Sequence, residues 1–245
     1  MEGRAAAHRG RAIDRDVRTM TRGIFVTGTD TGVGKTFVAV ALLRELVKAG
    51  VRAVGMKPVA AGVAPGATIN GDVEALLAAG NVDAPLSDVN PYSFPAAIAP
   101  HLAAARGGVT IDVERIASAY GRLGMTADVI VVEGAGGVLV PLGERIDMLD
   151  IARRLDLPVL LIVGVRLGCL NHALLSAQAI AARGLALAGW IANRIDPSMV
   201  AADANVASLA DRLAAPPAAD IAWHRGDGHD ARVAPDVLRT LGLKD

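Results

Sequence analysis

Gly23-Ile-Phe-Val-Thr-Gly-Thr-Asp-Thr-Gly-Val-Gly-Lys-Thr36 runs from a short apolar strand, through a turn bearing glycines, into the start of a helix. That order is the pattern of a phosphate-binding loop. Successive backbone N–H groups in such a turn form an anion cradle, Lys35 can reach terminal phosphates, and the Thr36 hydroxyl is placed to ligate magnesium. The usual G-x-x-x-x-G-K-[ST] spacing would put its first glycine at Thr29, whereas Gly28 stands one residue earlier, so the loop is a variant. The strand before it and the helical pattern Thr36 to Ala49 after it supply the context that a chance match in a glycine-rich chain lacks. The expected ligand is a nucleoside triphosphate with Mg2+.

Working outward, the chain repeats one grammar. A strand Val51 to Lys57 leads through a Gly- and Pro-rich loop to a helix from Gly71 to Ala79. A helix Ile111 to Leu123 precedes Asp128-Val-Ile-Val-Val-Glu133, whose β-branched run reads as a strand buried on both faces. Helix Met148 to Leu155, strand Val159 to Val163, helix Asn171 to Ala182, strand Leu187 to Ala192 and helix Val200 to Ala214 follow. Alternation of this kind implies right-handed crossovers and an α/β fold with a mainly parallel sheet and helices on both faces, of the P-loop NTPase type. Asn81 to Gly108, with Pro85, Pro91, Pro95 and Pro100, reads as one long irregular stretch.

With 245 residues, 52% of them hydrophobic, the chain can bury a sizeable core, and residues 23–245 are expected to form one domain. Residues 1–22 carry arginines at 4, 9, 11, 15, 18 and 22 and no apolar stretch, and read as a disordered extension, with Met20 as an alternative start. Acidic and basic residues balance at 25 each, so no net field steers the chain to nucleic acid or an anionic membrane. The longest apolar run, Pro158 to Val165, is strand-sized and too short to span a bilayer. The single cysteine, Cys169, excludes an internal disulfide and fits a cytoplasmic protein; it stands beside no evident base, which favours a packing role over a nucleophilic one.

Ligands of open parallel sheets bind outside the carboxyl ends of the strands. Five such ends are expected to meet in one crevice: Thr27-Gly28, Lys57-Pro58, Glu133-Gly-Ala-Gly-Gly137, Gly164 with Arg166-Leu-Gly-Cys-Leu-Asn171, and Asn193-Arg194. Glu133 ends an apolar strand, where an ionised carboxylate is costly unless paired or bound to a cation, and magnesium takes one or two carboxylates with phosphate oxygens and waters. Glu133 and Thr36 are the candidate pair. Asp72 is either a second carboxylate or a helix cap. Lys57, at a strand end, can neutralise charge in phosphoryl transfer. His224 and His229 lack further ligands at a metal-binding spacing, and His101 and His172 have no assignable proton-transfer role.

Thr27-Gly-Thr-Asp-Thr-Gly-Val-Gly-Lys-Thr36, Lys57-Pro-Val-Ala-Ala-Gly62, Asn90-Pro-Tyr, Pro100-His101, Val132-Glu-Gly-Ala-Gly-Gly137, Gly164-Val-Arg-Leu-Gly-Cys-Leu-Asn-His172 and Gly189-Trp-Ile-Ala-Asn193 together resemble the dethiobiotin synthetases. The resemblance covers Arg22 to Asp196. It implies an ATP- and Mg2+-dependent ligase of biotin biosynthesis that joins CO2 to 7,8-diaminononanoate and closes a ureido ring, working as a homodimer. It implies Lys57 and Lys35 as catalytic lysines and Thr36, Asp72 and Glu133 as metal ligands. Thr31, Gly32, Val33, Gly34 and Phe37 would hold ATP with Lys35 and Thr36. Gly134, Ala135, Gly136, Asn193, Arg194 and Trp223 would complete the ATP site, with Asn193 reading the adenine. Ala61, Gly168, Cys169, Leu170 and Asn171 would meet the substrate, the last four across the dimer interface through helix N-terminal amides. Two positions depart from relatives: Gly32 replaces an acidic residue found in some, and Ala61 replaces a serine that can contact substrate.

A partitioning-type switch ATPase is the competing class. It shares the fold but usually carries a further lysine early in its phosphate loop, which Gly28-Thr29-Asp30 does not supply. A cobyrinate-type amidase would need a glutaminase domain for which the chain has no room.

Overall fold

The computed structural model describes residues 22–223 and 233–244. The arginine-rich leader before Arg22 and the pair His224 and His229 lie outside them.

In chain order, β1 (Arg22–Gly28) and α1 (Lys35–Lys48) flank the phosphate loop, and β2 (Ala53–Met56), β3 (Val59–Ala61) and α2 (Gly71–Ala79) follow. Next come α3 (Leu86–Val89), β4 (Tyr92–Phe94), α4 (Pro100–Arg106) and α5 (Val113–Leu123). Then β5 (Val129–Gly137), α6 (Met148–Arg154), β6 (Val159–Val165), α7 (Cys169–Ala182), β7 (Leu187–Arg194), α8 (Ala202–Arg212), β8 (Ala219–Ile221) and α9 (Asp236–Thr240) complete the described chain.

Side chains alternate across a strand, and both faces of this sheet are apolar. Ile24 and Val26 of β1, Val129 and Val131 of β5, and Leu160 and Ile162 of β6 enter one core with α1 and α9. Phe25, Ile130, Val132, Leu161 and Val163 enter the other, with α5, α6, α7 and α8. Each fully buried Leu, Ile or Phe contributes about 1.5–3 kcal/mol. The six strands run in the order β2-β5-β1-β6-β7-β8, and all their pairings are parallel. β1 is thus central, and the loop it feeds stands at the middle of the sheet's carboxyl edge.

Register matters at one place. Val26 pairs with Glu133 and Gly28 with Gly137, so Gly134, Ala135 and Gly136 bulge where β1 has only Thr27. The regular pairing with Val26 sets Glu133 beside the root of the phosphate loop, and the bulge that follows bends β5 at Gly134 to Gly136.

The structure corrects three expectations. Arg22 belongs to β1, not to the leader, because its N–H donates to Asp128 O at 2.9 Å. The stretch read as irregular contains α3, β4 and α4, and β4 pairs in parallel with β3 in a separate two-stranded sheet. These elements are too short to show a period, and tertiary contacts hold them: Arg122 bonds Asp88 at 2.6 Å, and the Tyr92 hydroxyl accepts from Asp112 N at 2.9 Å. Finally, β8 and α9, absent from the sequence reading, extend the sheet and close one core.

Candidate active site

Lys57 follows β2 and is locked by its backbone: its N–H donates to Val89 O at 2.8 Å, and Asn90 Nδ2 donates to its carbonyl at 2.6 Å. The Asn90-Pro-Tyr segment therefore buttresses this lysine. Lys57 Nζ donates to Glu133 Oε1 at 2.6 Å and to Asp72 Oδ2 at 2.7 Å. Thr36 Oγ1, one residue into α1, donates to the same Glu133 oxygen at 2.8 Å. Four side chains, from α1, the end of β2, α2 and β5, thus share one polar knot at the sheet's carboxyl edge.

Asp72 is the second residue of α2 and does not cap it. Asn70 is the N-cap, accepting from Asp72 N at 3.0 Å while its Nδ2 donates to Gly62 O at 2.6 Å. The Asn70-Gly71-Asp72 run carried this signal, an N-cap residue ahead of a helix, and Asn70 was missed as a residue that sets Asp72 in place.

The phosphate loop is shaped by backbone. Gly34 has φ 91° and caps α1, and a Cβ there would strike Asn193 Nδ2. Gly32 has φ 74°, which glycine takes without the steric penalty a side chain meets. Lys35 Nζ donates to Asp30 O at 2.9 Å, and Arg166 pairs with Asp30 through NH2 and Oδ2 at 2.5 Å.

Burial pulls Lys35 down to about 8, assisted by the charge of Lys57 and opposed by Glu133 and Asp72. Burial works to lower Lys57 too, but the Glu133 and Asp72 carboxylates prevail and hold it above its ordinary value. For Asp72, burial acts to raise the carboxyl, and the charge and hydrogen bond of Lys57 outweigh it, leaving it below its usual range.

These groups line one end of a cavity of about 730 Å³. Of the residues singled out from sequence, Thr31, Gly32, Gly34, Lys35, Thr36, Lys57, Ala61, Asp72, Glu133, Ala135 and Gly136 all line it. Its remaining wall is largely apolar, with Ala60, Ala97, Ile98 and Val140. Of the five strand ends expected to meet, Lys57 and Glu133 line this cavity with the loop that follows β1, while Gly164 and Asn193 bond the phosphate loop from its other side. Behind the loop, Asn193 Nδ2 donates to Val33 O at 2.8 Å, and Arg194 is engaged by Asp203 and Asp220 at 2.6 and 2.7 Å. Gly168, with φ 94°, caps α7; Cys169 is buried, Leu170 half-buried and Asn171 exposed, and none of the four lines the cavity. Val33, Phe37, Gly134 and Trp223 also stand outside its wall.

The donor set suits magnesium. Glu133 is fully buried and its Oε2 has no hydrogen-bond partner, an expensive state for a carboxylate oxygen unless a cation meets it. Two carboxylates and a hydroxyl leave the rest of an octahedral shell to phosphate oxygens and water. Among the described residues no group of three or more His, Cys, Asp and Glu side chains is placed to hold a metal ion. No helix among the described residues is long and apolar enough to cross a membrane.

The AAA domain family matches residues 22–225. A ParA family ATPase from Chlorobium tepidum aligns at TM-score 0.55 and 12% identity over 92% of this chain and 93% of its own. The septum site-determining protein MinD from Pyrococcus horikoshii, solved with Mg-ADP, aligns at TM-score 0.52 and 17% identity over 91% and 94%. Likeness at that identity concerns the fold alone. The ATP-dependent dethiobiotin synthetase BioD of Aromatoleum aromaticum is 54% identical over 200 residues, covering 81% of this chain and 89% of the relative. Its namesake from Nitrosospira multiformis is 50% identical over 219 residues, 89% and 95% of the two chains. The ATPases share a backbone arrangement with this protein, but the synthetases share half of the aligned residues, and the chain belongs to the dethiobiotin synthetase family.

Proposed function

We propose that this protein is an ATP-dependent dethiobiotin synthetase acting on 7,8-diaminononanoate and CO2. The observation that carries the reading is the cavity itself, with two lysines, two carboxylates and the Thr36 hydroxyl at its polar end and an apolar wall beyond. An aliphatic chain ending in adjacent amines matches both parts. One amine takes up CO2 as a carbamate. A carbamate oxygen attacks the γ-phosphorus of ATP, the bond to the bridging oxygen breaks, and ADP leaves. The second amine then attacks the carbonyl of the resulting carbamic-phosphoric anhydride, releases a proton and expels phosphate as the ring closes.

Lys35 and Lys57 neutralise the oxygens of the transferring group, and holding both amines beside it makes ring closure effectively unimolecular. Thr36, Asp72 and Glu133 would hold Mg2+, which supplies further charge neutralisation at the phosphates. The adenine is assigned to the side of the loop where Asn193, Arg194 and Trp223 stand. At Ala61 no hydroxyl is offered to the substrate, so its orientation falls to Lys57 and the apolar wall.

The homodimer belongs to this reading. Leu139 and Leu175 line a second groove of about 400 Å³ beside the phosphate loop, and Leu167, 90% exposed, stands at the start of the β6–α7 turn. An apolar surface there suits a second copy, which would bring Gly168 to Asn171 to the substrate's carboxylate. The reaction is assigned to the cytoplasm, in keeping with the unpaired Cys169.

The test is phosphate release from MgATP with and without 7,8-diaminononanoate and bicarbonate, with mass detection of dethiobiotin. Substrate-dependent turnover is expected, falling about 100- to 1,000-fold in Lys57→Ala. ATP hydrolysis indifferent to substrate, with no product, would overturn the assignment.

A further inference from the structure

We infer that Lys57 is an internal counter-ion that occupies the cation position between Asp72 and Glu133 and keeps it closed to free divalent metal, so that Mg2+ enters only together with nucleotide. The inference rests on the metal-site reading above and adds to it an order of binding.

The geometry is unusual for a lysine that serves chemistry on a substrate. Its ammonium spends two donors on the two carboxylates of the metal site, at 2.6 and 2.7 Å, and the residue is 3% exposed. Thr36, the third ligand, is tied to the same Glu133 oxygen at 2.8 Å. A cation shared by Asp72 and Glu133 would stand against the Lys57 ammonium, which already holds Glu133 Oε1 and Asp72 Oδ2 while Glu133 Oε2 is without a partner. Lys57 and the metal therefore compete for the same pair of carboxylates.

Charge decides which prevails. Lys35 and Lys57 already balance Asp72 and Glu133, so a free divalent ion would add two uncompensated charges to a largely buried cluster. Nucleotide changes the balance, because its phosphates bring several negative charges with the metal. Lys57 can then leave the carboxylates without losing counter-charge, swinging its ammonium towards the phosphate end of the cavity. Lys57 would thus be held out of use until the metal–nucleotide pair arrives, which links its release to the moment at which the transferring phosphoryl group needs it. The Asn90 and Val89 bonds to the Lys57 backbone make this a side-chain movement about a fixed Cα.

The experiment uses Mn2+ as the probe, followed by electron paramagnetic resonance, with and without a non-hydrolysable ATP analogue. Wild-type protein should bind Mn2+ alone at least about tenfold more weakly than in the presence of the analogue. Lys57→Met should raise the affinity for Mn2+ alone about tenfold or more, and the double variant Lys57→Met with Glu133→Gln should lose that gain. Lys57→Met binding Mn2+ alone no better than wild type would overturn the inference.

Because Lys57→Met leaves two unpaired carboxylates and can unfold, a second measurement uses wild-type protein. Acylation of Lys57 by an amine-reactive ester, read by mass spectrometry, should be several-fold faster in Mg-ADP than in ADP alone. Equal rates would sink the idea. The metal-site reading fails separately: if Glu133→Gln leaves the affinity for Mn2+ with the analogue unchanged, the ligands are wrong whatever Lys57 does.

Discussion

Lys57 and Glu133 are both buried, and either alone would be a costly unpaired charge; together they are bonded at 2.6 Å. Sequence exposed half of this relation, since a glutamate ending an apolar strand and a lysine ending another are each conspicuous. That they meet each other is a fact of tertiary structure, because β2 and β5 are adjacent in the sheet although Lys57 and Glu133 are far apart in the chain. Asn193 shows the same division. Its place at the end of a strand was legible, but its bond to Val33 O was not, and that bond makes it a brace for the phosphate loop as well as a candidate for adenine. Asn193→Ala is expected to cost about 1–3 kcal/mol by leaving a buried carbonyl without its partner. Denaturant titration reads the stability, and the KM for MgATP should rise with it.

At the scale of elements, α2 is a short helix whose purpose in the site depends on its first turn. Asn70 caps it, ties it to Gly62 O, and so fixes the rotation that presents Asp72 to Lys57. Asn70→Ala should lower stability by about 1 kcal/mol, and it should also raise the Mg2+ concentration needed for half-maximal activity, since a misplaced cap moves Asp72, a ligand in the proposed metal site. A helix that served only packing would show the first effect without the second. The long helices and buried strands were readable because their apolar residues recur with period. β3 and β4 were not, since three-residue strands flanked by Pro58, Gly62, Pro91 and Pro95 carry no period and exist through pairing with each other.

For the whole molecule, the order β2-β5-β1-β6-β7-β8 divides the expected crevice in two. The ends of β1, β2 and β5 enclose the cavity, while the turn after β6 leans on the outside of the phosphate loop through Arg166 and Asp30. Gly168 to Asn171, which follow that turn, do not line the cavity. In the proposed homodimer, Leu175→Glu should shift the protein from dimer to monomer in sedimentation velocity. It should also raise the KM for 7,8-diaminononanoate about tenfold or more, a size typical of a lost interface anchor, while leaving Mn2+ binding with the ATP analogue intact. By itself the sequence determined the phosphate loop, the α/β alternation and the identity of the charged groups, because each is written in local spacing and periodicity. Only the tertiary structure decided which strands are neighbours, that Lys57 sits on both Asp72 and Glu133, and which strand ends share a cavity, because parallel pairing joins segments whose register no local pattern specifies.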